Sequence, residues 1–76
     1  MAKIILAPGE EFEHYHLDAS TSTLLQGQVR LAYNGITVEL RLQETLTIPP
    51  ETSHTMQNYG GEDAIVECGH GAGGPN

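Results

Sequence analysis

The feature that most constrains the fold is a pair of alternating apolar runs on either side of Asn34-Gly35. Before this dipeptide, Val29, Leu31 and Tyr33 occupy every second position. After it, apolar residues again occupy every second position from residue 36 to residue 42. Such alternation indicates strands with one buried face. Asn-Gly between two such strands predicts a hairpin with a type I′ turn, because that turn requires positive φ at both central residues.

Short runs of the same kind follow one another along the chain, and helical periodicity is almost absent. Turn-forming residues separate the runs, as at Pro8-Gly9, Gly27, Pro49-Pro50 and Gly60-Gly61. About eight short strands with closely spaced turns predict an all-β barrel or sandwich. Residues 1–70 are expected to form a single domain. The Gly-rich segment 71–76 is expected to be a flexible tail, because it has no apolar surface to bury.

Two histidines lie one residue apart in the predicted strand from residue 11 to residue 18. A strand advances by about 3.3 Å per residue and alternates faces, so His14 and His16 are expected on one face, about 6 to 7 Å apart at Cβ. His54 follows Pro49-Pro50 in a distant strand. Imidazoles from separate strands are suitable ligands for a transition-metal ion. We therefore predict that His14, His16 and His54 hold a metal.

Alternation also assigns a face to the neighbours of these histidines. The expected inward set comprises Phe12, His14, His16 and Asp18 in the first strand and His54, Met56 and Asn58 in the later one. A buried imidazole without a partner is costly, which favours a shared role for the histidines. Phe12 and Met56 are expected to form apolar walls. Cys68 is expected to be a small buried hydrophobe, and His70, beside the Gly-rich tail, is expected not to be a ligand.

The spacing of these residues resembles the two conserved motifs of the cupin superfamily. In this chain the first motif reads Gly9-x4-His14-x-His16-x3-Ser20-x6-Gly27, and the second reads Pro49-x-Glu51-x2-His54-x3-Asn58. Cupins are small β-barrels of the jelly-roll or double-stranded β-helix type that hold a metal through histidines. The resemblance implies a small single-domain cupin of the Cupin_2-like conserved-barrel type. It also implies that His14, His16 and His54 are the ligands.

Three positions depart from the family pattern. Ser20 stands where the family usually has a glutamate, commonly the fourth protein ligand, and Gln43 and Glu51 stand where it has glycines. Without that glutamate the site keeps a higher positive charge and is expected to bind anionic or chelating oxygen groups more strongly. Asp18, Ser20 or a water are the substitutes to consider for the missing ligand. Asp18 is at the end of its strand and is expected instead to cap the following turn. Ser20 has only a neutral hydroxyl to offer, directly or through a water.

The expected cofactor is a divalent transition metal, and histidine ligands do not discriminate among Zn, Ni, Fe, Mn and Cu. Three protein ligands leave coordination positions open for a small anionic or chelating molecule. A cupin that kept the histidines but binds metal weakly, or whose histidines hydrogen-bond a ligand directly, is the alternative.

Three function classes remain open at this point. The resemblance implies a metal-dependent enzyme of the dioxygenase, isomerase or lyase type. A non-catalytic ligand-binding, metal-binding or sensing module is the second class, and an interaction role without metal is the third. Asp18 and Tyr33 are the only acid or base candidates that stand out, so whether the chain is an enzyme is left undecided.

Composition bounds the location and the partners. A net charge of −7 disfavours nucleic acid and anionic membrane surfaces as partners. The single cysteine excludes an intrachain disulfide. The N-terminal apolar run is too short for a signal peptide or a membrane span, so a cytoplasmic location is expected.

A homodimer is expected for two reasons. The cupin resemblance implies it, and a domain of 76 residues buries only ~60% of the surface of its unfolded chain, so further burial would stabilise it. Residues 3–7 form an apolar terminal strand with no evident place in a closed monomer. These residues are therefore expected to contribute to the dimer interface.

Overall fold

The computed structural model describes residues 2–70, except for the side chains of residues 2, 16 and 70. The described chain forms two sheets of four strands each. The strands are β1 (Ala2–Leu6), β2 (Glu11–His16), β3 (Ser20–Gln26), β4 (Val29–Tyr33), β5 (Ile36–Glu39), β6 (Thr45–Ile48), β7 (Thr52–Asn58) and β8 (Ala64–His70). The predicted all-β fold of eight short strands is confirmed. The flexible tail predicted for residues 71–76 lies outside the described residues.

The first sheet has the order β1-β8-β3-β6, and the second has the order β2-β7-β4-β5. All neighbouring strands within each sheet are antiparallel. Consecutive strands mostly belong to different sheets, so the chain passes repeatedly across the interior.

No helix in the described range is long and apolar enough to cross a membrane.

The predicted hairpin joins β4 to β5. Tyr33 pairs with Ile36 across the turn, and Asn34 and Gly35 have φ values of 50° and 74°. Both central residues therefore have the positive φ that a type I′ turn requires. Asparagine tolerates this region better than other residues with a side chain, and glycine adopts it freely.

Strand β5 ends at Glu39, although the apolar alternation continues to Leu42. Leu40 is buried, whereas Leu42 is 63% exposed and makes an isolated parallel bridge to Leu24. A turn over residues 41–44, closed by a 3.0 Å backbone hydrogen bond, redirects the chain. The pattern therefore predicts the strand correctly but overestimates its length.

The apolar core lies between the two sheets. Its buried members are Leu6, Leu24, Val29, Leu31, Leu40, Ile48, Met56, Ala64, Val66 and Cys68. Gly27 permits close packing beside this core. Its φ is 85°, and a Cβ at this position would lie 2.8 Å from the Cα of Ala64. A side chain here is excluded both by the backbone conformation and by the lack of space.

The structure gives the N-terminal strand a place within the monomer. β1 pairs with β8 along its whole length, from Ala2 opposite Cys68 to Leu6 opposite Ala64. The expectation that this strand lacks a place in a closed monomer is therefore wrong. β1 is nevertheless an edge strand, and its Ile5 is 65% exposed.

One side-chain hydrogen bond and two short connections show which strand ends of the two sheets lie at the same end of the molecule. Asn58 Nδ2, at the end of β7, donates a 2.9 Å hydrogen bond to the backbone oxygen of Leu6, at the end of β1. At the opposite end, residues 17–19 connect β2 to β3 and residues 49–51 connect β6 to β7. The start of β3 therefore lies at the same end of the molecule as the end of β2 and the start of β7.

Gln43 and Glu51, the two residues that stand where cupins usually have glycine, have positive φ values of 64° and 54°. A left-handed conformation costs a residue with a side chain about 1–2 kcal/mol, and glycine loses about 0.5–1 kcal/mol more than alanine on ordering. We therefore expect Gln43→Gly to stabilise the fold by about 0.5–1 kcal/mol, measured by urea unfolding. Thr37→Gly, in an exposed strand position without positive φ, is the control and is expected to destabilise. Equal destabilisation by both substitutions would contradict this account.

Candidate functional site

Two of the three predicted ligands face each other across the β2–β7 pair. His14 and His54 are directly opposite in the register, and their ring centroids are 5.6 Å apart with an interplanar angle of 44°. His54 is almost fully buried, with 2% of its surface exposed, and His14 is half-buried. The structure thus brings together two histidines that are 40 residues apart in the sequence.

The separation of these rings is suited to a shared ion. A coordinating imidazole nitrogen lies about 2.0–2.1 Å from a transition metal, which puts the ring centroid about 3.2 Å from the ion. At a tetrahedral angle, two such centroids lie about 5.2 Å apart. The observed 5.6 Å between His14 and His54 is close to this value. The ring separation of His14 and His54 is therefore compatible with a shared ion.

The other two histidines are described only by their backbones. His16 is the last residue of β2 and pairs with Thr52, and His70 is the last residue of β8 and pairs with Ser20. Among the side chains that the structure describes, no three from His, Cys, Asp and Glu are close enough to hold an ion. That set does not include His16, so its role as the third ligand stays a prediction, as does the absence of a role for His70.

Apolar residues lie one row further along the same face. Phe12 pairs with Met56, and Met56 pairs with Leu31 on the next strand. The Phe12 ring meets the His14 ring edge-on, with centroids 5.3 Å apart, and Met56 is fully buried in the core. Phe12 therefore packs against both the His14 ring and the apolar core that contains Met56.

Asp18 is exposed in the bend between β2 and β3. The inward position expected for Asp18 is therefore wrong, because β2 ends at His16 and the alternation stops there. The competing interpretation, in which Asp18 belongs to the turn, agrees with the structure. Tyr33, the other candidate acid or base, lies closer to the histidines. It is half-buried and pairs with His54 from β4.

The first sheet contributes two hydroxyls to the interior. Ser20 and Ser22 are both 1% exposed, and the Oγ of Ser20 has no partner of hydrogen-bonding geometry among the described residues. Ser20 occupies the usual glutamate position and lies at the end of the molecule where β2 ends and β7 begins. Ser22 is absent from the cupin motif pattern, although its position two residues after Ser20 places both on one strand face.

Cys68 is buried, as predicted, and lies opposite Ser22 in the β3–β8 register. Burial raises the pKa of the Cys68 thiol, because it disfavours the thiolate. The Ser22 hydroxyl lowers this pKa and the charge of Glu67 raises it, both less strongly than burial. The thiol is therefore protonated at neutral pH and behaves as an apolar side chain with a weak donor.

Asn58, which matches the motif asparagine, holds three segments together at the end of the molecule away from the histidines. Its Nδ2 donates to the backbone oxygens of Leu6 and Glu62 at 2.9 Å and 2.7 Å. Its Oδ1 accepts a 2.9 Å hydrogen bond from the backbone nitrogen of Gly60. The residue is fully buried, so these bonds satisfy an amide that would otherwise be costly to bury. Its role is structural.

Asn58→Ala is expected to destabilise the fold by about 2–4 kcal/mol, because three hydrogen bonds of about 1 kcal/mol each are lost and their backbone partners are left unsatisfied. Gln57→Ala, on the opposite face of β7, is the control and is expected to change stability by less than about 1 kcal/mol. Chemical unfolding monitored by circular dichroism measures both. A small effect of Asn58→Ala would show that other contacts hold these loops.

Two antiparallel sheets that enclose inward-facing histidines define a double-sheet β protein of the jelly-roll class. The sequence model of the cupin domain matches residues 2–68, and the chain therefore belongs to the cupin family. No curated protein matches the chain.

Solved structures of the same fold cover most of the chain at low sequence identity. A predicted oxalate decarboxylase from Thermotoga maritima is 22% identical, with a TM-score of 0.78 and coverage of 87% of this chain and 59% of that one. The cupin domain of Schizosaccharomyces pombe Cnp3 is 17% identical, with a TM-score of 0.80 and coverage of 90% and 51%. The Cupin_2 domain of an XRE family transcriptional regulator from Enterobacter cloacae is 17% identical, with a TM-score of 0.79 and coverage of 87% and 73%. The chain thus spans between half and three fifths of the first two of these structures.

Proposed function

We propose that this cupin holds a divalent transition metal, one of Zn, Ni, Fe, Mn or Cu, through His14, His16 and His54. The observation that carries the proposal is the pairing of His14 with the deeply buried His54 at a ring separation of 5.6 Å. Imidazole is a suitable ligand for all of these ions. His16, two residues after His14 in β2, supplies the third nitrogen in this proposal.

Three protein ligands leave coordination positions for a small anionic or chelating molecule. When bound, the ion supplies Lewis acidity or oxygen activation to that molecule. The description of the Thermotoga maritima neighbour as a predicted oxalate decarboxylase is in line with a small anion, although that protein shares only 22% of its sequence with this chain.

Two roles follow for such a site. An enzyme of the dioxygenase, isomerase or lyase type needs a proton donor or acceptor, and the position of Tyr33 opposite His54 supports this role. A non-catalytic binding or sensing module needs none, and the exposure of Asp18 favours it. If the chain is an enzyme, His54→Ala abolishes turnover with the fold intact. A fully active variant would exclude the catalytic role.

The metal site predicts a large thermal shift. A ligand present at 100 times its Kd stabilises a protein by about 2.7 kcal/mol, which raises the Tm of a domain this small by roughly 10–20 °C. We expect scanning calorimetry to show this rise in Tm with at least one of the five ions. His54→Ala is expected to weaken binding by more than about 100-fold, since even partners behind a ligand contribute 10–100-fold.

Thr55→Ala is the matched control, because Thr55 follows His54 in β7 and points to the opposite, half-buried face. It is expected to keep the shift. Suppose that the protein purified from cells carries no metal and that its Tm responds to none of the ions. This result would contradict the metal site and favour an interaction role without metal.

We further propose that the chain forms a homodimer in the cytoplasm, with residues 3–7 at the interface. The exposed side chain of Ile5 and the open edge of β1 support this interface. Ile65, directly opposite Ile5 and half-buried, extends the apolar area. The single cysteine and the net charge of −7 support a reducing compartment and a small-molecule ligand, with neither nucleic acid nor membrane as partner.

Light scattering at micromolar concentration is expected to give twice the chain mass of 8.2 kDa. Ile5→Lys is expected to give the monomer mass, because it places a charge in the apolar contact. Ile36→Lys, a comparably exposed position in the second sheet, is the control and is expected to stay dimeric. Monomeric wild-type protein, or dissociation caused by Ile36→Lys alone, would contradict this interface.

A further inference from the structure

The interior of this protein has no acid among its described residues. All ten acidic residues lie within the described range, where nine are exposed and Glu67 is half-buried. Glu67 lies between the buried Val66 and Cys68 in β8, so it points away from the interior. A divalent ion held by neutral imidazoles would therefore keep its full charge. A buried charge without a counter-charge is strongly unfavourable, which favours the entry of an anion from solution.

The interior does hold a hydrogen-bond donor for such an anion. The Ser20 hydroxyl is buried, has no hydrogen-bond partner in the described part of the chain, and occupies the position where cupins usually have the glutamate ligand. Ser22 lies on the same face of β3, and its hydroxyl interacts with the Cys68 thiol. A hydroxyl donates one hydrogen bond, and such a bond is stronger when the acceptor is charged. Ser20 therefore replaces an acceptor carboxylate with a donor.

The basic residues limit the kind of anion. Lys3 and Arg41 are exposed. Arg30 is on the outer face of the second sheet. Its Nη2 lies 3.5 Å from Glu39 Oε2, and its guanidinium lies over the Tyr59 ring. Phosphate and sulfate are usually recognised by several basic or backbone donors. A carboxylate needs only two partners, one for each oxygen.

We propose that the site binds a small carboxylate, with one oxygen at the histidine-bound cation and the other accepting a hydrogen bond from Ser20. This inference rests on the proposed metal site. The carboxylate of the ligand takes the place of the protein carboxylate that this chain lacks. Ser20 is therefore a specificity-determining residue.

Cobalt-loaded protein titrated with acetate tests this proposal, because the visible absorption of Co²⁺ responds to a change in its ligands. Wild-type protein is expected to show a saturable change with acetate and none with phosphate at the same concentrations. Ser20→Ala is expected to weaken acetate binding at least about tenfold, which corresponds to the loss of one charge-assisted hydrogen bond. Thr21→Ala, the next residue on the opposite face of β3, is the matched control and is expected to bind acetate like wild type.

Ser20→Glu provides a second test, since it restores a protein carboxylate. This variant is expected to bind Co²⁺ more tightly and to lose the response to acetate. Wild-type protein that binds neither Co²⁺ nor any of the five proposed ions would overturn the metal site and this inference with it. Co²⁺ binding with equal acetate affinity in wild type and Ser20→Ala, or a preference for phosphate, would overturn the carboxylate inference and leave the metal site standing.

Discussion

The register between β2 and β7 is the constraint on which the candidate site depends. It sets His14 opposite His54 and Phe12 opposite Met56, so that a histidine pair and an apolar pair occupy adjacent rows of one face. Side chains alternate with a period of two, so a slip of one residue would turn one strand's histidine outward. The buried pairs on the interior face therefore fix the register, and the register in turn fixes the separation of the two imidazoles.

The interior changes in character from one end to the other. At the Asn58 end, the amide satisfies three backbone groups in two segments, and the neighbouring interior is filled by residues such as Leu6, Val29 and Ala64. At the opposite end, buried polar residues including His54 and Ser20 replace apolar ones. The apolar end supplies most of the burial that holds the two sheets together. The polar end places hydrogen-bonding groups in the interior, and it is the end where the metal site is proposed.

Many parts of this arrangement could be predicted from local patterns. The Asn34-Gly35 turn, the alternation of His54, Met56 and Asn58, and the buried Cys68 follow from short-range spacing, and the structure agrees with each of them. Apart from the missed place of β1 in the monomer, the predictions that are wrong occur where a strand ends. Alternation extrapolated through Asp18 fails because β2 stops at His16. A pattern of apolar and polar residues does not show where a strand stops pairing with its neighbour.

The sequence by itself determined the fold class, the family, the faces of most strand residues and the choice of His14, His16 and His54 as candidate ligands. All of these follow from local periodicity or from motif spacing. Only the tertiary structure decided that His14 and His54 lie directly opposite each other and that β1 completes the edge of the first sheet. These outcomes depend on strand pairing between residues far apart in the chain. The choice of partner and register is made by the packing of the whole core, so no single segment of sequence contains it.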